Sequence, residues 1–109
     1  MPYSLSGLAI AAGDAAWYDQ EHVQKSVKMN RAERDFLSRE LSRRRVKCVP
    51  SHTNFILVDA GRPANDLSDA LLRHGVIVRP GWGLPTGVRV SVGTREQNET
   101  LLAALEKIL

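Results

Sequence analysis

The sequence predicts an α+β domain, a small, mostly antiparallel sheet covered by helices and preceded by two helices. Three observations predict it. Apolar residues recur at helical spacing through residue 45, the texture changes at Val46 to short β-branched runs parted by Pro and Gly, and the chain closes on a Leu-rich run headed by a capping signal. At 109 residues, with 43% hydrophobic and 25% charged residues, the chain fits one domain spanning 1–109 and is too short for two.

From Ser4 to Asp19, Leu5, Leu8, Ala12, Ala15 and Ala16 form a narrow, Ala-lined helical face, which Gly7 and Gly13 weaken. Such a helix needs a surface to dock on. Gln20 to Arg45 has no Gly or Pro and carries Val23, Val27, Leu37 and Leu41 on one side, which predicts one long helix. After VKCV and a turn at Pro50 to Thr53, the run NFILVDAG reads as a buried strand. Pro63 to His74 returns to helical spacing, with Gly75 as its C-cap glycine. VIVRP reads as a short strand ended by Pro80, GWGLPTG as a turn-rich loop, and GVRVSVGT as a strand with Val88, Val90 and Val92 on one face. Thr94 and Gln97 form a capping box ahead of Leu101, Leu102, Leu105 and Ile108.

Composition excludes several functions. The net charge of +3 falls short of a nucleic-acid-binding face, and the run Arg43, Arg44, Arg45 and Lys47 reads as a solvated helix end. The apolar stretch LAIAAGDAAW is far below the ~20 residues of a membrane span. A lone Cys48 rules out an internal disulfide framework and a Cys-based zinc cluster, and the opening has no leader-like pattern, so a cytoplasmic protein is expected. His22, His52 and His74 have no metal-ligand spacing, adjacent Ser51 and His52 do not make a nucleophile pair, and GWGLPTG lacks the Lys-Ser/Thr of a phosphate loop. No catalytic, cofactor-binding or metal-ligating residue is nominated.

Two arginines stand out. Arg79 ends an apolar strand before Pro80, and Arg89 stands mid-strand opposite the valines, where a rigid backbone can present a guanidinium to a carboxylate or phosphate. The alternative is that Arg89 faces water or pairs with Asp59. Asn54, opening NFILVD, suits either a turn cap or a ligand contact.

The ordered blocks PYSLS, PSHTNFILV, HGVIVRP and GVRVSVGT, followed by REQN and a Leu-rich helix, carry a resemblance that covers essentially the whole chain. They resemble the C-terminal small domain of pyridoxal-phosphate-dependent aminotransferases of the class I/II fold, and among these the histidinol-phosphate aminotransferase branch. The resemblance implies that Arg79 and Arg89 bind the phosphate or carboxylate of a small anionic amino substrate, with Asn54 and Phe55 on the strand bordering that site. It implies amino transfer between histidinol phosphate and 2-oxoglutarate, pyridoxal phosphate in the full-length enzyme, and a homo-oligomer. The family's cofactor-anchoring lysine and cofactor-ring aspartate belong to a large domain with no counterpart here. Lys25, Lys28, Lys47 and Lys107 lie outside any Ser-Lys block, so the chain alone is expected to be inactive. The competing expectation is a stand-alone interaction module without catalysis; a nucleic-acid binder is a more distant one.

Overall fold

The computed structural model describes residues 3–109; Pro2 of the PYSLS block lies outside them. The order is α1 (Gly7–Trp17), α2 (Gln20–Arg43), β1 (Lys47–Cys48), β2 (Phe55–Asp59), α3 (Ala64–Arg73), β3 (Gly87–Ser91) and α4 (Arg95–Ile108). The three strands form one sheet, β1-β2-β3, antiparallel throughout.

Period-two alternation splits this sheet into two unlike faces. Ile56 and Val58 of β2 and Val88 and Val90 of β3 are buried against Leu37 and Leu41 of α2, Leu67 and Leu71 of α3, and Leu101 and Leu105 of α4. Phe55, Leu57, Arg89 and Ser91 occupy the alternate positions, and no helix buries them. The expectation of a fully buried NFILVDAG strand is corrected accordingly: β2 is shorter and buries only its even-numbered side chains.

The VIVRP strand is also corrected. Its only ladder contact is an isolated bridge between Arg79 and Arg89, because the chain leaves Gly75 in a left-handed turn and reaches the edge of β3 only at Arg79. That turn is a Schellman motif: Gly75 N–H donates to the Leu72 carbonyl (2.9 Å) and Val76 N–H to that of Leu71 (3.0 Å). The predicted capping box is present, with Thr94 accepting from Gln97 N–H and the Gln97 side chain accepting from Thr94 N–H.

Helix α1 is capped by Ser6 but buries no residue, so the docking surface its Ala-lined face calls for is not supplied by the described residues. Helix α2 is likewise exposed through Met29; its buried residues are Glu33, Leu37 and Leu41, and Phe36 packs against the core beside them.

A buried acid ties α2 to α4. The Glu33 carboxylate accepts from Arg95 Nε (3.1 Å) and Nη2 (3.0 Å) and from Asn98 Nδ2 (3.0 Å), while Asn98 also accepts from Gly93 N–H (3.0 Å). The Arg95 guanidinium lies 3.5 Å from the Phe36 ring centre. Hydrogen bonds from Arg95 hold the Glu33 carboxyl below its usual range against the opposing effect of burial, with Asn98 adding to the lowering. A group whose folded pKa is depressed stabilises above its unfolded pKa and loses that contribution as pH falls through the folded value. Glu33→Gln is therefore expected to lower stability at neutral pH and to flatten the loss of stability on acidification, read by thermal denaturation from pH 7 down to about pH 3.

Helix α2 ends in a second Schellman motif, with Arg45 N–H on the Ser42 carbonyl and Val46 N–H on that of Leu41, both at 3.0 Å. Here the left-handed residue is Arg45, at φ 59°. Left-handed strain of about 1–2 kcal/mol outweighs glycine's entropic cost of about 0.5–1 kcal/mol, so Arg45→Gly is expected to stabilise by roughly 0.5–1 kcal/mol. Chemical denaturation checks it through an increased midpoint.

Candidate functional site

The open face of the sheet gathers the two arginines singled out in the sequence. Arg89 stands opposite Leu57 on one side and Arg79 on the other, with Arg89 N–H on the Arg79 carbonyl (2.8 Å) and Arg79 N–H on that of Arg89 (3.0 Å). Backbone pairing on both sides holds Arg89 in place, while Arg79, beside a free edge, has one such neighbour.

Both guanidinia lie on aromatic rings. Arg89 is 4.9 Å from the Trp82 ring centre and 5.3 Å from that of Phe55, and Arg79 is 5.7 Å from Trp82. Each such contact contributes about 0.5–1 kcal/mol at an exposed site. Trp82 reaches the arginines because Gly81 (φ 97°) and Gly83 (φ 70°) turn the loop in backbone conformations that residues with a Cβ rarely adopt. Among the described residues neither arginine forms a salt bridge; the ion pairs involve Arg43, Arg44 and Arg95 instead.

The pairing of Arg89 with Asp59 does not occur. Asp59 stands opposite Gly87, and its carboxylate accepts from Gly61 N–H (2.8 Å) and from the Thr86 hydroxyl. Those contacts, the Gly61 N–H first, hold the Asp59 carboxyl below its ordinary range. The site is thus two cations on an aromatic platform, open to solvent and uncompensated by acid, an arrangement that binds anions by charge and by bidentate hydrogen bonds.

Asn54 immediately precedes Phe55 at the start of β2. Its carbonyl accepts from Val92 N–H (2.8 Å), and it lines a groove with Ser26, Asn30 and Arg34 of α2. Asn30 Nδ2 (3.2 Å) and Arg34 Nη1 (2.9 Å) both donate to the Thr53 carbonyl, and Ser51 Oγ donates to the carbonyl of Phe55. These bonds set the turn from which β2 departs and hence where Phe55 meets Arg89. The Asn30 and Arg34 contacts leave no local signal in the sequence, since nothing nearby links α2 to a turn some twenty residues on. GWGLPTG is more than a connection: an aromatic between two glycines is its one local signal for the role of Trp82.

The remaining sequence candidates have structural surroundings. Arg44 bridges Glu40 of α2 and Glu106 of α4 and so ties two helices together, while Arg43 pairs with Glu40 on the exposed end of α2. Burial pushes the Cys48 thiol up, away from reactivity. Lys25, Lys28, Lys47 and Lys107 are all exposed. Among the described residues no cluster of His, Cys, Asp or Glu could hold a metal ion, and no helix is long and apolar enough to cross a membrane.

Residues 1–105 match the family model described as aminotransferase class I and II. The chain is 48% identical over 110 residues to a histidinol-phosphate aminotransferase of Symbiobacterium thermophilum, covering 99% of this chain and 30% of that protein. It is 44% identical to the Bacillus subtilis histidinol-phosphate aminotransferase, covering 99% and 31%. The fold matches the crystal structure of the Sinorhizobium meliloti histidinol-phosphate aminotransferase in complex with pyridoxal-5'-phosphate, with TM-score 0.84, 27% identity, and 96% of this chain and 30% of that one covered. It also matches a Thermus thermophilus aspartate aminotransferase, with TM-score 0.72, 27% identity, and 83% and 27% covered. The chain thus spans about 30% of the length of the curated relatives it matches.

Proposed function

Since the chain belongs to the class I and II aminotransferase family, we propose that it is the substrate-clamping small domain of a cytosolic, pyridoxal-phosphate-dependent aminotransferase that moves an amino group between histidinol phosphate and 2-oxoglutarate. The observation that carries this reading is the Arg79 and Arg89 pair, two unneutralised guanidinia side by side on an otherwise uncovered sheet face. Relatives 44–48% identical and named for histidinol phosphate support the choice of substrate.

The described residues do not by themselves fit pyridoxal phosphate. A lysine that anchors a cofactor is activated in a desolvated pocket, and all four lysines here are exposed. In this reading the cofactor is held by the remainder of a longer polypeptide, and this chain's share is positioning. Arg89 takes the substrate's anionic group in bidentate fashion from a strand locked on both sides. Arg79 adds a second charge from the edge, and Asn54, beyond Phe55, is a third and weaker contact. Covering the open face would exclude water and strengthen each of these contacts.

In the complete enzyme Arg89→Ala is expected to be the most damaging change in this segment, lowering kcat/KM by on the order of several hundred-fold because the substrate anion loses its partner in a dry site. Arg89→Lys is expected to recover little, since an ammonium lacks the planar fork. Arg79→Ala is expected to cost less, and Asn54→Ala least. Near-normal kinetics for Arg89→Ala combined with lost stability would make Arg89 a structural residue and overturn the clamp. The 109-residue chain alone is expected to show no transaminase turnover with pyridoxal phosphate.

Self-association belongs to the same reading. The uncovered Ala-lined face of α1 is expected to drive dimer or larger species at high concentration, and Ala12→Glu to shift them toward monomer in sedimentation.

A further inference from the structure

Like charges placed directly across two antiparallel chains repel, and Arg79 and Arg89 are placed so with no acid between them. What lies against both is Trp82, 4.9 Å from one guanidinium and 5.7 Å from the other. The negative face of an aromatic ring attracts a cation without taking up its N–H donors, which stay at the edge of the guanidinium plane. A carboxylate in the same place would occupy those donors and cancel the charge. Among the described residues Phe55 lies against Arg89 and not Arg79, so Trp82 is the ring shared by the pair.

We propose that Trp82 is a positioning residue for the arginine pair: by stacking against both guanidinia it holds them side by side and ordered, with their N–H donors free, before an anion arrives. This rests on the reading of the pair as an anion clamp. The loop is built for the role, with Gly81 and Gly83 in left-handed conformations on either side of the ring. In a chain with two tryptophans, Trp17 lies on fully exposed α1 and Trp82 on this face. Phe55 supplies the second wall, its position set by the turn that Asn30 and Arg34 hold. Trp82 therefore acts through the arginines and need not touch the reacting atoms.

The test follows the Nε–H signals of Arg79 and Arg89 by NMR in the 109-residue chain at low salt, first alone and then titrated with inorganic phosphate. In the unaltered chain the two signals are expected to be dispersed at rest, through ring-current shifts from Trp82, and to move together with phosphate. Trp82→Leu is expected to collapse them toward free-arginine positions before any phosphate is added, and to weaken phosphate binding about five- to tenfold. Trp82→Phe is expected to restore most of both effects. Backbone signals of Ile56 and Val90 report that each variant keeps its core. Resting signals and phosphate affinity unchanged in Trp82→Leu would overturn the positioning role. Phosphate binding unchanged in Arg89→Ala, or absent from the unaltered chain, would instead overturn the clamp, and the resting arginine signals still decide the role of Trp82.

Discussion

Two guanidinia facing each other across a pair of antiparallel backbones is an arrangement that a folded protein must compensate. Arg79 and Arg89 are held in that relation by reciprocal main-chain hydrogen bonds of 2.8 and 3.0 Å, so neither can swing away at the backbone. Compensation comes from rings instead of acids, with Trp82 shared by both and Phe55 under Arg89. The glycine-flanked loop, the braced turn at Thr53 and the exposure of this whole sheet face then have one physical setting, an unneutralised positive charge kept in order.

The opposite face of the sheet makes this tolerable. Ile56, Val58, Val88 and Val90 are at most 5% exposed, and they bind the sheet to α2, α3 and α4 through a continuous apolar core. Burial of that kind, at about 25 cal/mol per Å² of apolar surface, is the main source of stability in a small domain, so the polar face is free to carry charge. The Glu33, Arg95 and Asn98 network anchors the link between β3 and α4 at Gly93, where adding even a methyl group would collide with Gln97. It is a buried charge with its hydrogen bonds satisfied, the condition under which such a group is tolerated.

Large apolar residues are left exposed at two places. Leu8 and Trp17 of α1 and Ile77 beside the arginine edge are each more than 70% exposed. Isolated exposed apolar residues are ordinary on protein surfaces, but a whole helix without a buried residue is not. The chain spans about 30% of its relatives' length, and an uncovered helix and an uncovered cationic sheet face are its two exposed features.

Local chemistry made much of this legible in the sequence. Thr94 and Gln97, Gly75, and the alternation of Val88 and Val90 each dictate their structure within a few residues, which is why the last helix, the α3 cap and the β3 faces were found with little error. The same local rules single out Arg79, before Pro80, and Arg89, amid the valines of β3. The tertiary structure alone decided that VIVRP would touch β3 at a single bridge, that α2 would end two residues early on a left-handed Arg45, and that Asn54 would line a groove with α2. It alone decided that Trp82 would stack on both guanidinia and that Asp59 would turn to Gly61 and Thr86. The physical reason is range: caps and strand faces are settled by hydrogen bonds and periodicity between near neighbours, whereas the partner of a charge depends on which distant segments the core brings together.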